Sequence, residues 1–310
     1  MPLSADLPTP LTPIRDPVLA RAGVELRLKR DDLLHPTVPG NKWRKLTPNL
    51  EHALAEGHTR LVTFGGAYST HLRATAAAAR ALGLSSVGVV RGEELADRPR
   101  NPSLAAAEAD GMELEFVTRG AYRELVRDLG GPLAQRWGRC LVLPEGGSNA
   151  LAVRGTAALP AELGDLGARD TVCCAVGTGG TLAGIAAGLP PGARALGVAV
   201  LRGAGYLEAE VTALHRAAYG RAFTNWRIDH GHHGGGYGKV PAALEEFAAG
   251  FGERHGIGVE RRYVAKALWA VHGLAGTAVL PPGSRVTLVV TGLPDGAAAA
   301  AAPGCGVSRS

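Results

Sequence analysis

The stretch that most constrains the fold is Thr171-Val172-Cys173-Cys174-Ala175-Val176, which runs directly into Gly177-Thr178-Gly179-Gly180-Thr181. An apolar run of this length between turn residues matches a strand buried on both faces, and such strands belong to parallel sheets covered by helices. Adjacent Cys173 and Cys174 cannot both face one side of it. The glycines that follow open a helix, and a helix start offers free N–H groups and a favourable dipole to an anion. The turn does not follow the dinucleotide pattern, because the position that needs glycine is Leu182. No Gly-Lys-Ser/Thr follows, so it is not a nucleotide P-loop either. A phosphate site and a plain strand-to-helix turn both remain open from this stretch alone.

The same grammar recurs upstream. Arg60–Phe64 reads as a short apolar strand and leads into Gly65-Gly66-Ala67-Tyr68-Ser69-Thr70-His71. Ala74–Leu82 is strongly helix-forming, and Ser86–Val90 is another strand. Ser69 or Thr70 thus falls at a helix start, where it can cap the helix, border an anion site, or do both. Further strands are predicted over Val24–Lys29, Met112–Thr118, Arg139–Leu143, Arg194–Val200 and Arg285–Val290. Helices are predicted from Lys45 to Glu56 and over 103–111, Ala121–Leu129, Leu151–Leu163, Glu208–Tyr219, 242–254 and 264–275. Alternation of strand and helix from residue 24 to 300 predicts an α/β chain with largely parallel sheet. Two anion-ready turns predict two sheet layers facing one cleft.

Residues 7–13 hold too much proline for helix and predict an extended arm on the surface. The run His230-Gly231-His232-His233-Gly234-Gly235-Gly236-Tyr237-Gly238 breaks all periodicity. Its histidines lack a carboxylate or cysteine at ligand spacing, so it predicts a glycine-rich loop lining a cleft, and no metal is expected. The tail starts helix-compatible at Ala297–Ala302 and is expected to end disordered over Pro303–Ser310.

Bulk properties exclude several classes. At 310 residues the chain makes one large domain or two ordinary ones. A net charge of +5 with scattered arginines fits a solvated surface, so no nucleic-acid partner is expected. Cys140, Cys173, Cys174 and Cys305 form no CxxC pair, which argues against zinc and disulfide frameworks. The N-terminus lacks the charged-then-apolar order of a signal peptide, and no apolar run is long enough for a membrane span. A cytoplasmic protein is expected, with no membrane partner.

Lysine is scarce: Lys29, Lys42, Lys45, Lys239 and Lys266 are all there are, and two of them fall in Pro39-Gly40-Asn41-Lys42-Trp43-Arg44-Lys45-Leu46. Lysine is the side chain that forms a Schiff base with an aldehyde cofactor such as pyridoxal 5'-phosphate (PLP), whereas arginine stays protonated. Taken by itself the segment also fits a surface turn with a basic helix start.

Several blocks together carry a resemblance. They are Lys29-Arg30-Asp31-Asp32 with Gly40-Asn41-Lys42-x-Arg44-Lys45-Leu46, and Gly65-Gly66-x-x-Ser69-x-His71-x-Arg73. Pro144-Glu145-Gly146-Gly147-Ser148-Asn149 and Gly177–Thr181 follow, then Tyr237-Gly238-x-x-Pro241 and Tyr263-x-x-Lys266. Over residues 7–295, in this order, the chain resembles the PLP enzymes of fold type II, the tryptophan synthase β-subunit group. More narrowly it is similar to the family of 1-aminocyclopropane-1-carboxylate (ACC) deaminase and D-cysteine desulfhydrase.

That resemblance implies a two-domain fold with twisted parallel sheets and PLP in the cleft between domains. Residues 1–46 and 154–310 would form the larger domain and 47–153 the smaller. It implies Lys42 as the Schiff-base lysine, which also takes the Cα proton. Gly177, Thr178, Gly179, Gly180 and Thr181 would hold the phosphate, and Asn41 would reach the ring hydroxyl. Ser69 with the N–H groups of Thr70 and His71 would grip the carboxylate of a small amino-acid substrate. Tyr263 would lie on or near the pyridine ring and Tyr237 over the substrate side chain. Lys45 is left as a helix-face residue. Relatives of this fold type are commonly dimers, so a homodimer is expected.

Three positions depart from the family. Tyr68 stands for the usual Gln, Thr70 for Asn, and Val264 for the Glu of the deaminase branch, which pairs with the pyridine nitrogen. Thr291 is the nearest replacement partner for that nitrogen. A hydroxyl there leaves the ring largely neutral, which favours β-elimination, as in D-cysteine desulfhydration to pyruvate, ammonia and sulfide, over ACC ring opening. ACC deamination, a biosynthetic reaction on another amino acid, and a catalytically silent PLP- or anion-binding protein stay open as alternatives.

Overall fold

The computed structural model describes residues 3–38, 40–129 and 132–292. The expectations for the tail from Ala297 onward lie outside these residues.

Among the described residues, ten strands form two sheets. Strands β1 (Leu11–Ile14), β2 (Glu25–Lys29), β7 (Asp170–Val176), β8 (Arg194–Ala199), β9 (Trp226–Asp229) and β10 (Arg285–Val289) make the larger, in the order β1-β2-β10-β7-β8-β9. Strands β3 (Arg60–Gly65), β4 (Ser85–Arg91), β5 (Met112–Val117) and β6 (Cys140–Leu143) make the smaller, in the order β5-β4-β3-β6. Every pairing is parallel except β1 with β2.

The apolar strand β7 is central, between β10 and β8, and its burial on both faces follows from helices on each side. Cys173 joins the core beneath the helices Ala242–His255 and Val264–Leu274, whereas Cys174 joins the opposite core under Gly180–Gly188 and Leu207–Tyr219. Adjacent residues of a strand point to opposite faces, and this pair does so.

Two local expectations need correction. The proline-rich arm is not simply laid on the surface: Thr9 is buried, and Leu11–Ile14 pairs with β2. A proline is tolerated there because β1 is an edge strand. The predicted helix 151–163 is a helix over Ala150–Thr156 and then a 3-10 turn over Leu159–Leu163, since Pro160 has no N–H to continue the ladder. The short strand β9, Trp226-Arg227-Ile228-Asp229, alternates apolar and charged residues, but over only four residues, and the sequence reading did not assign it.

The helix Lys42–Ala55 connects the two sheets and begins three residues before the expected start. It crosses the helix Ala150–Thr156 closely at Gly155, where a Cβ would run into the carbonyl oxygen of Arg44. Arg44 anchors the crossing. Its guanidinium donates to Asp31 at 2.8 and 2.9 Å and to Glu162 at 2.6 and 2.9 Å. Lys29 adds a second cation at 2.6 Å from Glu162. Arg44, Asp31 and Lys29 are all buried. Burial alone would raise the carboxyl of Glu162, but the bonds from Arg44 and Lys29 prevail and hold it below the usual range.

Removing one partner from such a network leaves buried charge unmatched. Arg44→Ala is expected to lose on the order of 3–5 kcal/mol of stability. A denaturant midpoint that does not move, at unchanged slope, would contradict this.

Candidate active site

Parallel strands deliver their following loops to one end of a sheet, and both sheets aim that end at a common cavity of about 850 Å³. Its lining includes Gly177–Leu182 after β7, Thr291 and Gly292 after β10, Gly66 and Tyr68–His71 after β3, and Glu145 and Gly146 after β6. Asn41, Lys42, Lys45, Tyr237, Glu260, Arg262 and Tyr263 complete the inner part. Every candidate residue named from the sequence thus lines one cavity.

The Lys42 turn depends on Gly40. It has φ +59°, and a Cβ there would collide with the carbonyl of Thr291. The same carbonyl accepts the Asn41 N–H at 3.3 Å. The end of β10 therefore holds the start of the lysine helix. Lys42 Nζ donates to Asn41 Oδ1 at 3.2 Å, and Asn41 Nδ2 donates to Thr181 Oγ1 at 2.6 Å. Asn41 thereby links the lysine to the second glycine loop. Burial disfavours the charged amine and brings Lys42 down to about 8, while the negative Glu260 acts in the opposite sense.

The glycine loop is built as a cradle. The helix Gly180–Gly188 starts from Gly179 in a left-handed conformation, φ +82°, with no side-chain cap on its N–H groups. A Cβ on Gly180 would come within 2.5 Å of Ser148 Oγ and 3.0 Å of Lys45 Nζ. Thr178 Oγ1 lies 2.7 Å from Ser148 Oγ. Uncapped amides, two hydroxyl side chains and an ammonium around a glycine fit a phosphate group.

Lys45 was assigned to the helix face, and this is wrong. It is buried and donates to Gly146 O at 3.0 Å and Ser148 Oγ at 2.9 Å. Burial, reinforced by the charge of Lys42, holds it well below the ordinary lysine value. The spacing contained the signal: residues three apart on a helix share a face, so a lysine aimed into the cavity brings Lys45 with it.

On the opposite wall Ser69 caps the helix Thr70–Ala81, its hydroxyl accepting the Leu72 N–H at 3.3 Å. His71 is buried, and neither ring nitrogen has a hydrogen-bond partner among the described residues. Burial and the charges of Lys42 and Lys45 push its imidazole well below the usual value, so it is neutral. Tyr237 and Tyr263 meet edge to face, with ring centroids 6.2 Å apart. Burial raises the Tyr263 phenol well above its ordinary range, and Tyr237 beside it adds to the effect. The glycine-rich loop is held by Lys266, which donates to Gly236 O at 2.8 Å. In that region His230 bonds Glu208 and His232 bonds Asp229.

Glu260 was not foreseen either. Its carboxylate accepts the N–H groups of Arg262 at 2.7 Å and Tyr263 at 2.8 Å, just before the helix Val264–Leu274. A carboxylate a few residues ahead of a helix is the signal that could have found it. Val264 is buried in the core of the larger sheet, away from the cavity lining, whereas Thr291 is part of that lining.

The chain is similar to several known proteins. The family model described as pyridoxal-phosphate dependent enzyme matches residues 3–292. A protein of Thermotoga maritima provisionally named 1-aminocyclopropane-1-carboxylate deaminase is 37% identical over 173 residues, 54% of each chain. A Klebsiella pneumoniae protein named D-cysteine desulfhydrase is 35% identical over 215 residues, 63% of each chain. These alignments span about half to two thirds of the relatives' lengths. A crystal structure described as an ACC deaminase homologue superposes with a TM-score of 0.78 at 27% identity, covering 92% of this chain and 89% of that one.

The lowered Lys42 value has a testable sign. Only the free amine attacks an aldehyde, so in cofactor-free protein the rate at which added PLP develops its absorbance band should rise about tenfold per pH unit and level off above about 8. Glu260→Gln removes the opposing negative charge and should move the break to lower pH. A break near the ordinary lysine value in both proteins would refute the assignment.

Proposed function

The chain belongs to the pyridoxal-phosphate-dependent enzymes, and from that premise we propose that it is a lyase performing β-elimination on a small amino acid, of the D-cysteine desulfhydrase kind. The observation that carries this reading is a lysine poised as an amine in a cavity lined by Thr291, while Val264, at the position of the deaminase branch's carboxylate, is buried in the core.

In this reading Lys42 binds the cofactor, and the amides of Gly177–Thr181 with Lys45 hold its phosphate. The cofactor supplies the electron sink once bound. Asn41 orients Lys42 through the hydrogen bond to its Nζ and keeps it beside the phosphate loop. Ser69, with the N–H groups of Thr70 and His71, holds the substrate carboxylate at the start of a helix, where the dipole favours it. Lys42 would take the Cα proton, its depressed value making it a base near neutral pH. Tyr263 borders the ring site and Tyr237 stands over the substrate side chain. A Tyr263 ring carbon would lie 3.6 Å from a Cβ on Gly177, so that glycine leaves room for the ring. A large domain of 1–46 with 154–310 and a small one of 47–153 would then close on the cleft.

Glu260 favours a second reading, ACC deamination, because a carboxylate does line the cavity. Against it, both Glu260 oxygens accept backbone N–H groups. Purified enzyme should release pyruvate from D-cysteine faster than 2-oxobutyrate from ACC. The reverse order would replace the first reading with the second. Lys42→Ala should abolish both the cofactor band and turnover, and a variant that keeps turnover would sink either reading.

A further inference from the structure

Outside the parts assigned above, the cavity wall is cationic. Arg73, Arg91 and Arg262 line it, while the other lining arginine, Arg80, meets Asp110 at 3.0 Å. Arg73 and Arg91 have no ion pair among the described residues. Glu145 is the further carboxylate in the lining, and it makes no ion pair with either.

Arg91 is set rather than free to wander. It ends β4, its guanidinium lies over the Tyr122 ring at 5.4 Å, and Nη2 would stand 3.5 Å from a Cβ on Gly66. Gly66 precedes the Ser69 turn by three positions, so the guanidinium approaches the side of the carboxylate site. Arg73 lies one helical turn beyond Ser69 and Thr70 on the same face.

The outer wall is a contact between the two lobes. Tyr68, exposed on the Ser69 turn of the smaller sheet, carries the Arg262 guanidinium over its ring at 5.0 Å. Arg262 comes from the segment before the helix Val264–Leu274, which packs on the larger sheet. The family's usual Gln at 68 offers no aromatic face for that contact. The phosphate and α-carboxylate already have their own amides and Lys45. Arg73 and Arg91, beyond them, are placed to meet another negative group.

We propose that the substrate is an amino acid whose β-substituent carries a second acidic group, received by Arg91 and Arg73 inside the Tyr68–Arg262 wall. The proposal rests on the β-elimination reading above. Arg91 and Arg73 act here as specificity-determining residues: a neutral substituent leaves their charges unmet, and an acidic one pairs with them.

The test is a matched pair of substrates offered to the holoenzyme as D and L forms, O-succinylserine and O-acetylserine. Both expel a carboxylate, and they differ in the distal acid. In each, the Cα–H bond breaks with its proton going to Lys42. The Cβ–O bond breaks with its electron pair leaving on succinate or acetate. The remaining three-carbon enamine takes up water to give pyruvate and ammonia. The kcat/KM for the succinyl ester should exceed that for the acetyl ester by about tenfold or more, as a charge-assisted contact provides.

In Arg91→Ala that ratio should fall toward one, and Arg91→Lys should restore part of it. The cofactor absorbance band reports that each variant is folded and loaded. A ratio near one in the native enzyme, or a ratio unmoved in Arg91→Ala, overturns the charge proposal. Pyruvate release from D-cysteine would then keep the elimination reading standing. If neither ester reacts, the same ratio is read from the concentration dependence of the cofactor's spectral shift. Preferential succinyl binding there supports the acidic-substrate assignment while elimination falls, and equal binding overturns both.

Discussion

The buried ion network around Arg44 is the constraint on which the site depends. Asp31 follows β2, Glu162 lies in the turn after the helix Ala150–Thr156, and Lys29 ends β2 itself. Thr9 closes the set from the N-terminal segment, donating to Asp31 at 2.8 Å and accepting from Lys29 at 2.7 Å. Charges removed from water must be matched by close partners, so each segment is fixed by the others. Arg44 stands two residues after Lys42, and a helix is stiff over that distance. Fixing the guanidinium therefore fixes where the Lys42 side chain leaves the helix. The opposite end of the turn is held by the close approach of Gly40 to Thr291.

With its position fixed, the chemistry of Lys42 comes from its surroundings. Lys42, Lys45 and His71 are crowded into one poorly solvated space, and burial is the largest influence on each. Each positive charge also disfavours protonation of the next, so the group carries fewer protons than three isolated bases would. Glu260 is the opposing influence on Lys42. A phosphate bound against the Gly177–Thr181 loop would bring negative charge beside Lys45, leaving Lys42 as the base that is reached from the substrate side.

The outer cavity follows a different logic. Inside, glycines allow close backbone approach and amides face the bound groups. Toward the mouth, long side chains from both lobes meet, as Tyr68 and Arg262 do. The inner residues match the family blocks, while Tyr68 and Thr70 do not. Tyr68 and Thr70, two positions where this chain departs from the family pattern, lie on the turn after β3 beside Ser69.

The sequence by itself determined the α/β class, since β7 is too apolar for anything but a covered parallel strand and glycine turns follow it and β3. It singled out Lys42 and the two glycine loops as candidates, because glycine and lysine have backbone and chemical properties that no other residue supplies, and the family resemblance added the two tyrosines; all of them line one cavity. It missed Lys45, whose burial depends on Gly146 and Ser148 arriving from a loop about a hundred residues away. It missed Glu260 for the same reason, and it read Leu7–Pro13 as surface because nothing local announces the partner strand. Only tertiary structure decided which polar groups lose their water, which of two lysines faces which loop, and that Arg262 crosses to Tyr68. Those outcomes depend on contacts between distant segments, and local pattern carries no record of them.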